Sequence, residues 1–142
     1  DMTVNEKSNE DLELEYRTSF FQKNKNTIIL KAWFKLSKGD PSEIRRIMNE
    51  SKTRRWSKQP RDYPNCGSVF KRPPGNFVGP MIDELGLKGF TIGGAQVSKK
   101  HSGFIVNKGN ATGTDILELI QYIQDKVKKR HNINLEVEQR II

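Results

Sequence analysis

Residues 89–107 read GFTIGGAQVSKKHSGFIVN, and their pattern predicts the centre of a sheet. Two short apolar runs, residues 89–92 and 95–97, flank the Gly93-Gly94 pair, which is typical of a hairpin turn. Residues 103–107 follow as a third short apolar strand. Around them, strands and helices are mixed without the regular alternation of βαβ units. The pattern predicts an α+β fold with a mostly antiparallel sheet packed with about three helices.

The first helix is predicted over residues 43–56. Asp40 can cap it, and Pro41 suits its first turn. The apolar spacing predicts that one face turns inward, and this face consists of Ile44, Ile47 and Met48. The preceding SKGDP segment at residues 37–41 is a natural domain boundary.

Two further helices follow. The pattern predicts one helix over residues 77–85, which ends at Gly86, and another helix that begins after its cap, Thr112. Asp115 stands three residues after Thr112, the spacing of a capping box. The last helix has an apolar stripe that predicts its core face: Ile116, Ile120, Ile123 and Val127, widened by Leu117 and Leu119.

Three more strands are predicted from composition and alternation. Residues 27–36 (TIILKAWFKL) are rich in β-branched and aromatic side chains, and alternate residues share an apolar face. A short strand is expected at residues 68–71. Residues 134–142 predict a final strand, because apolar and charged residues alternate there.

The charge is uneven. The 142 residues carry a formal net charge of +8, and residues 41–73 hold nine Lys or Arg against three acids. Such a field attracts polyanions or phosphorylated small molecules, although a solvated helix face is the simpler alternative. We expect no nucleic-acid partner, because no helix-turn-helix, zinc finger or aromatic ribonucleoprotein signature accompanies the charge.

Cysteine and hydropathy exclude other classes. The single cysteine, Cys66, cannot form an internal disulfide, which fits a reducing compartment and predicts a cytoplasmic protein. One cysteine and two histidines offer no metal cluster, so no metal is expected. No apolar run is long enough for a transmembrane helix, and we expect no membrane partner.

Four places in the sequence suggest chemistry. The turn residues 65–68 (NCGS) place the Ser68 hydroxyl before a strand, although an ordinary turn has the same composition. Cations that converge from a helix end and a loop could hold a diphosphate, but they could also be surface charge. These cations are Arg55, Lys58, Lys71 and Arg72.

The other two places lie near the ends of the sequence. The tail, LEVEQRII, offers a carboxylate on a strand, and alternation alone does not choose between Glu136 and Glu138. Arg17 could pair with a carboxylate, although a surface arginine is the default. Cys66 and His101 could form a thiol nucleophile and its base, but the sequence indicates no orienting third group.

The runs at residues 65–73 (NCGSVFKRP), 85–112 (LGLKGFTIGGAQVSKKHSGFIVNKGNAT) and 135–142 (LEVEQRII) carry a resemblance. In order and sequence they resemble the C-terminal half of the UDP-N-acetylenolpyruvoylglucosamine reductase family, also called UDP-N-acetylmuramate dehydrogenases. The similarity spans about residues 12–142 and fits the shorter form of the family.

The resemblance implies a flavoprotein oxidoreductase that uses FAD and NADPH. Its substrate would be UDP-N-acetylglucosamine enolpyruvate, reduced to UDP-N-acetylmuramate for peptidoglycan synthesis, on which cell wall biogenesis, cell shape and cell division depend. Residues 1–38 would be the C-terminal remnant of the FAD-binding domain, and residues 41–142 the UDP-sugar-binding domain. The missing N-terminal FAD domain would be a partner, without which the fragment is expected to be inactive. The alternative is an isolated module that binds UDP-sugar or a polyanion without catalysis.

The resemblance also implies roles for individual residues. The family's proton-donating serine falls on Ser68, its Y-R-x-S arginine on Arg17 and its tail glutamate on Glu138. The cations of its R-x-x-K-x-P stretch fall on Arg55 and Lys58, near the UDP-sugar, and Lys71 and Arg72 would line the same pocket. The family's usual tail proline is replaced by Val137, and Cys66 stands where a small residue is common.

Overall fold

A computed structural model describes residues 3–141 of the chain. The chain divides into two compact units, Asp1–Gly39 and Asp40–Ile142. This division falls at the SKGDP segment.

The first unit contains a 3₁₀ turn at Glu10–Leu12, a short helix α1 (Phe20–Lys23) and no strand among its described residues. The strand predicted over residues 27–36 is therefore wrong. Side chains along that stretch are exposed, Ile28 by 84% and Phe34 by 80%. A strand needs a neighbour for its backbone groups and a partner surface for its apolar face. The described part of this unit supplies neither.

The second unit begins with helix α2 (Pro41–Lys58). As predicted, Asp40 caps it: one carboxylate oxygen accepts the Glu43 N–H at 2.8 Å. The inward face predicted for α2 is wrong, because the side chains of Ile44, Ile47 and Met48 are 45%, 49% and 65% exposed. No helix or strand of the described residues packs extensively on α2. Helix caps are local, whereas burial of a face requires a second element.

Four short antiparallel strands form one sheet in the order β1-β4-β3-β2. They are β1 (Asn65–Ser68), β2 (Thr91–Ile92), β3 (Ala95–Val97) and β4 (Phe104–Asn107). The predicted hairpin is confirmed, with Ile92 opposite Ala95 across the Gly93-Gly94 turn. β1 begins and ends earlier than the predicted strand at residues 68–71.

Helices α3 (Val78–Glu84) and α4 (Gly113–His131) pack together and supply the core. The capping box of Thr112 and Asp115 is present at the start of α4, as predicted. Asp115 also accepts the Gly94 N–H at 3.0 Å, so it ties the hairpin to the helix. These backbone N–H donors, Thr112 first and then Gly94, hold the pKa of the Asp115 carboxyl below its usual value.

The core face of α4 is close to the predicted stripe. Four of its side chains are buried: Leu119, Ile120, Ile123 and Val127. Ile116 is partly buried and packs against the core from the same helix. The main partners of this face include Ile82 on α3 and Val97 on β3, both fully buried. The chain therefore has the α+β class that the sequence predicts.

The final strand predicted over residues 134–142 is wrong in extent. Among the described residues of this segment, only an isolated antiparallel bridge joins Val137 to Phe70. Residue 142 lies outside the described part of the chain. The segment runs beside β1 without forming a continuous ladder, so its pairing is limited to a few bonds.

Candidate functional site

The Ser68 turn is held in shape by one side chain. The Asn65 side-chain oxygen accepts the Gly67 N–H at 3.1 Å, and its Nδ2 donates to the Pro60 and Tyr63 carbonyls at 3.1 and 3.0 Å. Gly67 has a φ of +85°, a conformation that favours glycine. Residues 65–68 are strand β1 with an irregular register between Asn65 and Ser68, so the predicted turn before a strand is wrong; we keep the name Ser68 turn for this irregular segment. Ser68 is exposed to solvent.

The C-terminal tail lies alongside this turn. The Glu138 N–H donates to the Val69 carbonyl at 2.8 Å, and the Lys71 N–H donates to the Glu136 carbonyl at 2.9 Å. The Gln139 amide donates to the Cys66 carbonyl at 3.2 Å. The structure thus brings the backbone of Glu138 next to the residue that follows Ser68.

The two tail carboxylates have different surroundings. Glu136 accepts a hydrogen bond from Lys71 Nζ, and the Glu136 side chain is 69% exposed. Glu138 is less exposed, in the intermediate range. Glu136 is thus paired with Lys71. The choice of Glu138 as the functional carboxylate rests on the resemblance of the LEVEQRII segment to the family and stays a prediction.

A histidine lies behind the Ser68 turn. His101 Nδ1 accepts the Gly103 N–H at 3.1 Å, and the Gly103 carbonyl accepts the Val69 N–H at 2.9 Å. The His101 ring packs edge-on against Phe104, with ring centroids 4.8 Å apart. These contacts hold the start of β4 against the end of β1 beside Ser68.

The predicted cations fall in two places of the second unit. Arg55 and Lys58 are exposed in the last turn of α2, three residues apart and so on one side of the helix. Arg55 Nε donates to the Gln59 side chain at 3.0 Å. Lys71 is paired with Glu136, and the Arg72 guanidinium lies 3.8 Å from the centre of the Phe77 ring.

Arg17 belongs to the first unit. It occupies the turn between Glu15 and Thr18, whose backbone groups exchange two hydrogen bonds. Its φ of +58° is uncommon for a residue with a side chain and costs on the order of 1 kcal/mol or more. The Arg17 guanidinium also lies 5.7 Å from the centre of the Tyr16 ring.

Other chemistries find little support in residues 3–141. Cys66 is exposed, and His101 Nδ1 is engaged with Gly103, which leaves no sign of a thiol paired with a base. No group of three or more His, Cys, Asp or Glu side chains there could hold a metal ion. None of the helices described is long and apolar enough to cross a membrane.

Sequence reasoning missed the contacts that shape the Ser68 turn. Asn65 is part of the segment that the sequence marks at residues 65–68, but its side-chain bonds to the Pro60 and Tyr63 carbonyls could not be predicted from composition. Gln139 and His101 carry no comparable signal, because their partners are distant in sequence or depend on the turn conformation.

Comparison with known proteins identifies the family. Residues 59–142 match the family model for the UDP-N-acetylenolpyruvoylglucosamine reductase C-terminal domain. Relatives named UDP-N-acetylenolpyruvoylglucosamine reductase include those of Fervidobacterium nodosum, 56% identical over 124 residues, and Caldanaerobacter subterraneus, 50% identical over 135 residues. These alignments cover 87% and 95% of this chain, but 40% and 44% of the relatives.

The fold agrees with a solved structure. The crystal structure of UDP-N-acetylenolpyruvylglucosamine reductase (MurB) from Thermus caldophilus matches with a TM-score of 0.77 and 36% sequence identity. The match covers 92% of this chain and 46% of that one. The chain therefore spans less than half the length of the relatives it matches. With more than half of the chain covered by the family model, the resemblance seen in the sequence is confirmed, and the chain belongs to the UDP-N-acetylenolpyruvoylglucosamine reductase C-terminal domain family.

Proposed function

We propose that this chain forms the substrate-binding part of a UDP-N-acetylenolpyruvoylglucosamine reductase. The enzyme would reduce UDP-N-acetylglucosamine enolpyruvate to UDP-N-acetylmuramate for bacterial peptidoglycan synthesis, with FAD and NADPH. Family membership supports the reaction. The observation that carries the local assignment is the pairing of the Glu138 segment with the strand of Ser68, at 2.8 Å between backbone N and O.

The surface around Ser68 is open. Ser68 is exposed, and a Cβ built on Gly67 meets nothing within 4 Å. A bound molecule can therefore reach the Ser68 hydroxyl from solvent. When bound, FAD in its reduced form supplies the hydride for the reduction, and NADPH then reduces the FAD again.

The chemistry assigned to this chain is stabilisation of charge and transfer of one proton. As hydride reaches the terminal carbon of the enolpyruvyl alkene, negative charge spreads onto the substrate carboxylate. Arg17 stabilises that charge as a cation, and Glu138 donates a hydrogen bond to it if protonated. The Ser68 hydroxyl then gives a proton to the carbon beside the carboxylate, where position matters more than acidity.

Four cations would hold the UDP part of the substrate. Arg55 and Lys58 offer an exposed pair at the end of α2, and a diphosphate suits both an arginine fork and a lysine point charge. Lys71 and Arg72 follow Ser68 along the chain. For Lys71 to bind the substrate, its contact with Glu136 must open.

The proposed partner is the FAD domain of the same family. Residues 1–38 would be the end of that domain and residues 41–142 the UDP-sugar domain. The exposed apolar residues of 27–36 support a packing surface on the first unit. Ile44, Ile47 and Met48 on α2 support another on the second unit. The lone cysteine is consistent with the reducing cytoplasm as the place of reaction.

Ser68→Ala tests the assignment in the flavin-loaded full-length protein, by which we mean this chain joined to the proposed FAD domain. We expect flavin reduction by NADPH to keep its rate, because no proton from Ser68 is needed there. Re-oxidation by the enolpyruvyl substrate should slow by about 10²–10⁴-fold, the usual contribution of a general acid. Stopped-flow absorbance of the flavin measures both half-reactions.

Ser57→Ala is the matched control, since Ser57 lies on α2 and its hydroxyl donates to the Arg54 carbonyl at 2.9 Å. It should leave both half-reactions unchanged. Equal losses in the two half-reactions of Ser68→Ala would reject the proton-donor role. A wild-type protein that does not turn over this substrate would reject the proposed reaction itself.

A further inference from the structure

His101 is joined to the Ser68 strand through one glycine. Its Nδ1 accepts the Gly103 N–H at 3.1 Å, and the carbonyl of the same Gly103 accepts the Val69 N–H at 2.9 Å. Val69 follows Ser68 directly. The imidazole is therefore two hydrogen bonds away from the peptide that carries Ser68.

The ring and the hydroxyl also lie against the same side of Gly103. A Cβ built on Gly103 would lie 3.1 Å from His101 Cε1, 3.2 Å from Nδ1 and 4.0 Å from Ser68 Oγ. Any side chain there would press on the imidazole first. Because Gly103 has no side chain, the His101 ring can pack against it close to the Ser68 hydroxyl.

The turn that carries His101 is itself well held. Ser98 Oγ accepts the N–H groups of Lys100 and His101 at 3.1 and 3.2 Å. The Ser102 hydroxyl, buried in the same turn, donates to Asp83 on α3. The edge-on contact with Phe104 fixes the plane of the ring.

We propose that His101 is a positioning residue for Ser68. By accepting the Gly103 N–H, His101 fixes the backbone just before β4. Through the hydrogen bond between the Gly103 carbonyl and the Val69 N–H, it also fixes the position of the Ser68 hydroxyl. The inference rests on the proposed role of Ser68 as proton donor. A displacement of about 1 Å at such a group can lower a rate by about 10²-fold.

Two substitutions separate this role from simple packing. His101→Leu keeps bulk but removes the acceptor. His101→Asn restores an acceptor, because an Asn side-chain oxygen bonds the N–H two residues later in an Asx turn, which here is Gly103.

The first measurement is amide hydrogen exchange of the full chain by NMR. His101→Leu should accelerate exchange at both Gly103 and Val69 by about tenfold or more, and His101→Asn should keep both within about threefold of the wild type. Unchanged Val69 exchange in a folded His101→Leu protein would overturn the coupling. This readout does not require flavin or substrate.

The second measurement uses the flavin-loaded full-length protein. His101→Leu should slow flavin re-oxidation by the enolpyruvyl substrate by about 10²-fold while NADPH reduces the flavin at the normal rate, and His101→Asn should recover most of the loss. His131→Leu, the same change as His101→Leu but at the end of α4, is the control and should alter neither step. Equal loss in both half-reactions, or no rescue by asparagine, would overturn the positioning role.

The two proposals fail in different ways. If Ser68→Ala does not distinguish the half-reactions, the proton-donor assignment is wrong, whatever His101 does. If Ser68→Ala behaves as expected and His101→Leu does not, only the positioning role is wrong.

Discussion

Ser68 owes its surroundings to three separate parts of the chain. Asn65 shapes the turn locally, Gly103 approaches from the entrance of β4, and Glu138 comes from the tail. Each contact uses backbone groups, so the position of the hydroxyl depends on the paths of three segments. Substitutions that keep the side chain but move one of these paths should therefore affect Ser68.

Lys58→Ala tests the anion-binding assignment. A lysine that contacts a diphosphate does so equally before and during the reaction, so its loss should raise KM for the UDP-sugar by about tenfold. The kcat should stay within about threefold of the wild type. Steady-state kinetics of the flavin-loaded full-length protein measure both.

Lys128→Ala provides the control for Lys58→Ala, because Lys128 is an exposed lysine in the last turn of another helix, α4. It should leave KM unchanged. A normal KM with a strongly reduced kcat for Lys58→Ala would contradict a simple phosphate contact.

Local signals in the sequence marked part of the candidate site but not its conformation. Asn, Gly and Ser at residues 65–68 adopt turn conformations readily, yet the chain forms strand β1 there. The choice between Glu136 and Glu138 could not be made from alternation, since both lie on one side of the segment, and it rests on the resemblance to the family. The pairing of Glu136 with Lys71 could not be predicted, because Lys71 belongs to a distant segment.

Helix α4 shows how one element organises the second unit. Its apolar face contributes four buried side chains to the core, and its first turn holds the β2–β3 hairpin through Asp115 and Gly94. A Cβ on Gly94 would lie 2.4 Å from the Ala111 backbone N. The absence of a side chain there lets the hairpin turn reach the start of α4.

Leu119→Ala and Leu117→Ala test the face of α4 with one chemical change. Leu119 is fully buried, whereas Leu117 is 43% exposed on the same helix. We expect Leu119→Ala to lower the free energy of unfolding by about 3 kcal/mol, through lost burial and the cavity left behind. Leu117→Ala should lower it by less than about 1 kcal/mol.

Denaturant unfolding of both variants, followed by circular dichroism, measures this difference. Equal losses would mean that α4 does not present the face described here. A larger loss for Leu117→Ala would mean that the helix is rotated about its axis.

The elements that could be predicted are those whose capping or turn residues lie within the element itself. The start of α4 follows from Thr112 and Asp115, and the β2–β3 hairpin from its two glycines. The strand predicted over residues 27–36 was wrong because a strand depends on a neighbour that the sequence pattern does not specify. The inward face predicted for α2 was wrong for the same reason.

The whole molecule concentrates its core in the second unit. All buried apolar side chains among the described residues lie between Val69 and Leu135. The first unit has no buried apolar side chain in its described part and only one buried residue, Ser19. The cooperative stability of the chain should therefore come from residues 40–142.

A chain that starts at Asp40 tests this expectation. Its thermal midpoint should stay within about 4 °C of that of the full chain, which corresponds to a change of less than about 1 kcal/mol for a domain of this size. Differential scanning calorimetry measures the midpoint. Loss of the cooperative transition would show that the first unit contributes to folding of the second.

The tail contact at Ser68 has a consequence for the order of folding. Gln139 and Cys66 are 73 residues apart in the chain, whereas the β2–β3 hairpin closes between Ile92 and Ala95. Closing a loop costs chain entropy that rises with the logarithm of its length. Long-range contacts of this kind form late, after local ones have reduced the cost. We therefore expect newly made molecules to acquire a compact interior first and the arrangement around the Ser68 hydroxyl last.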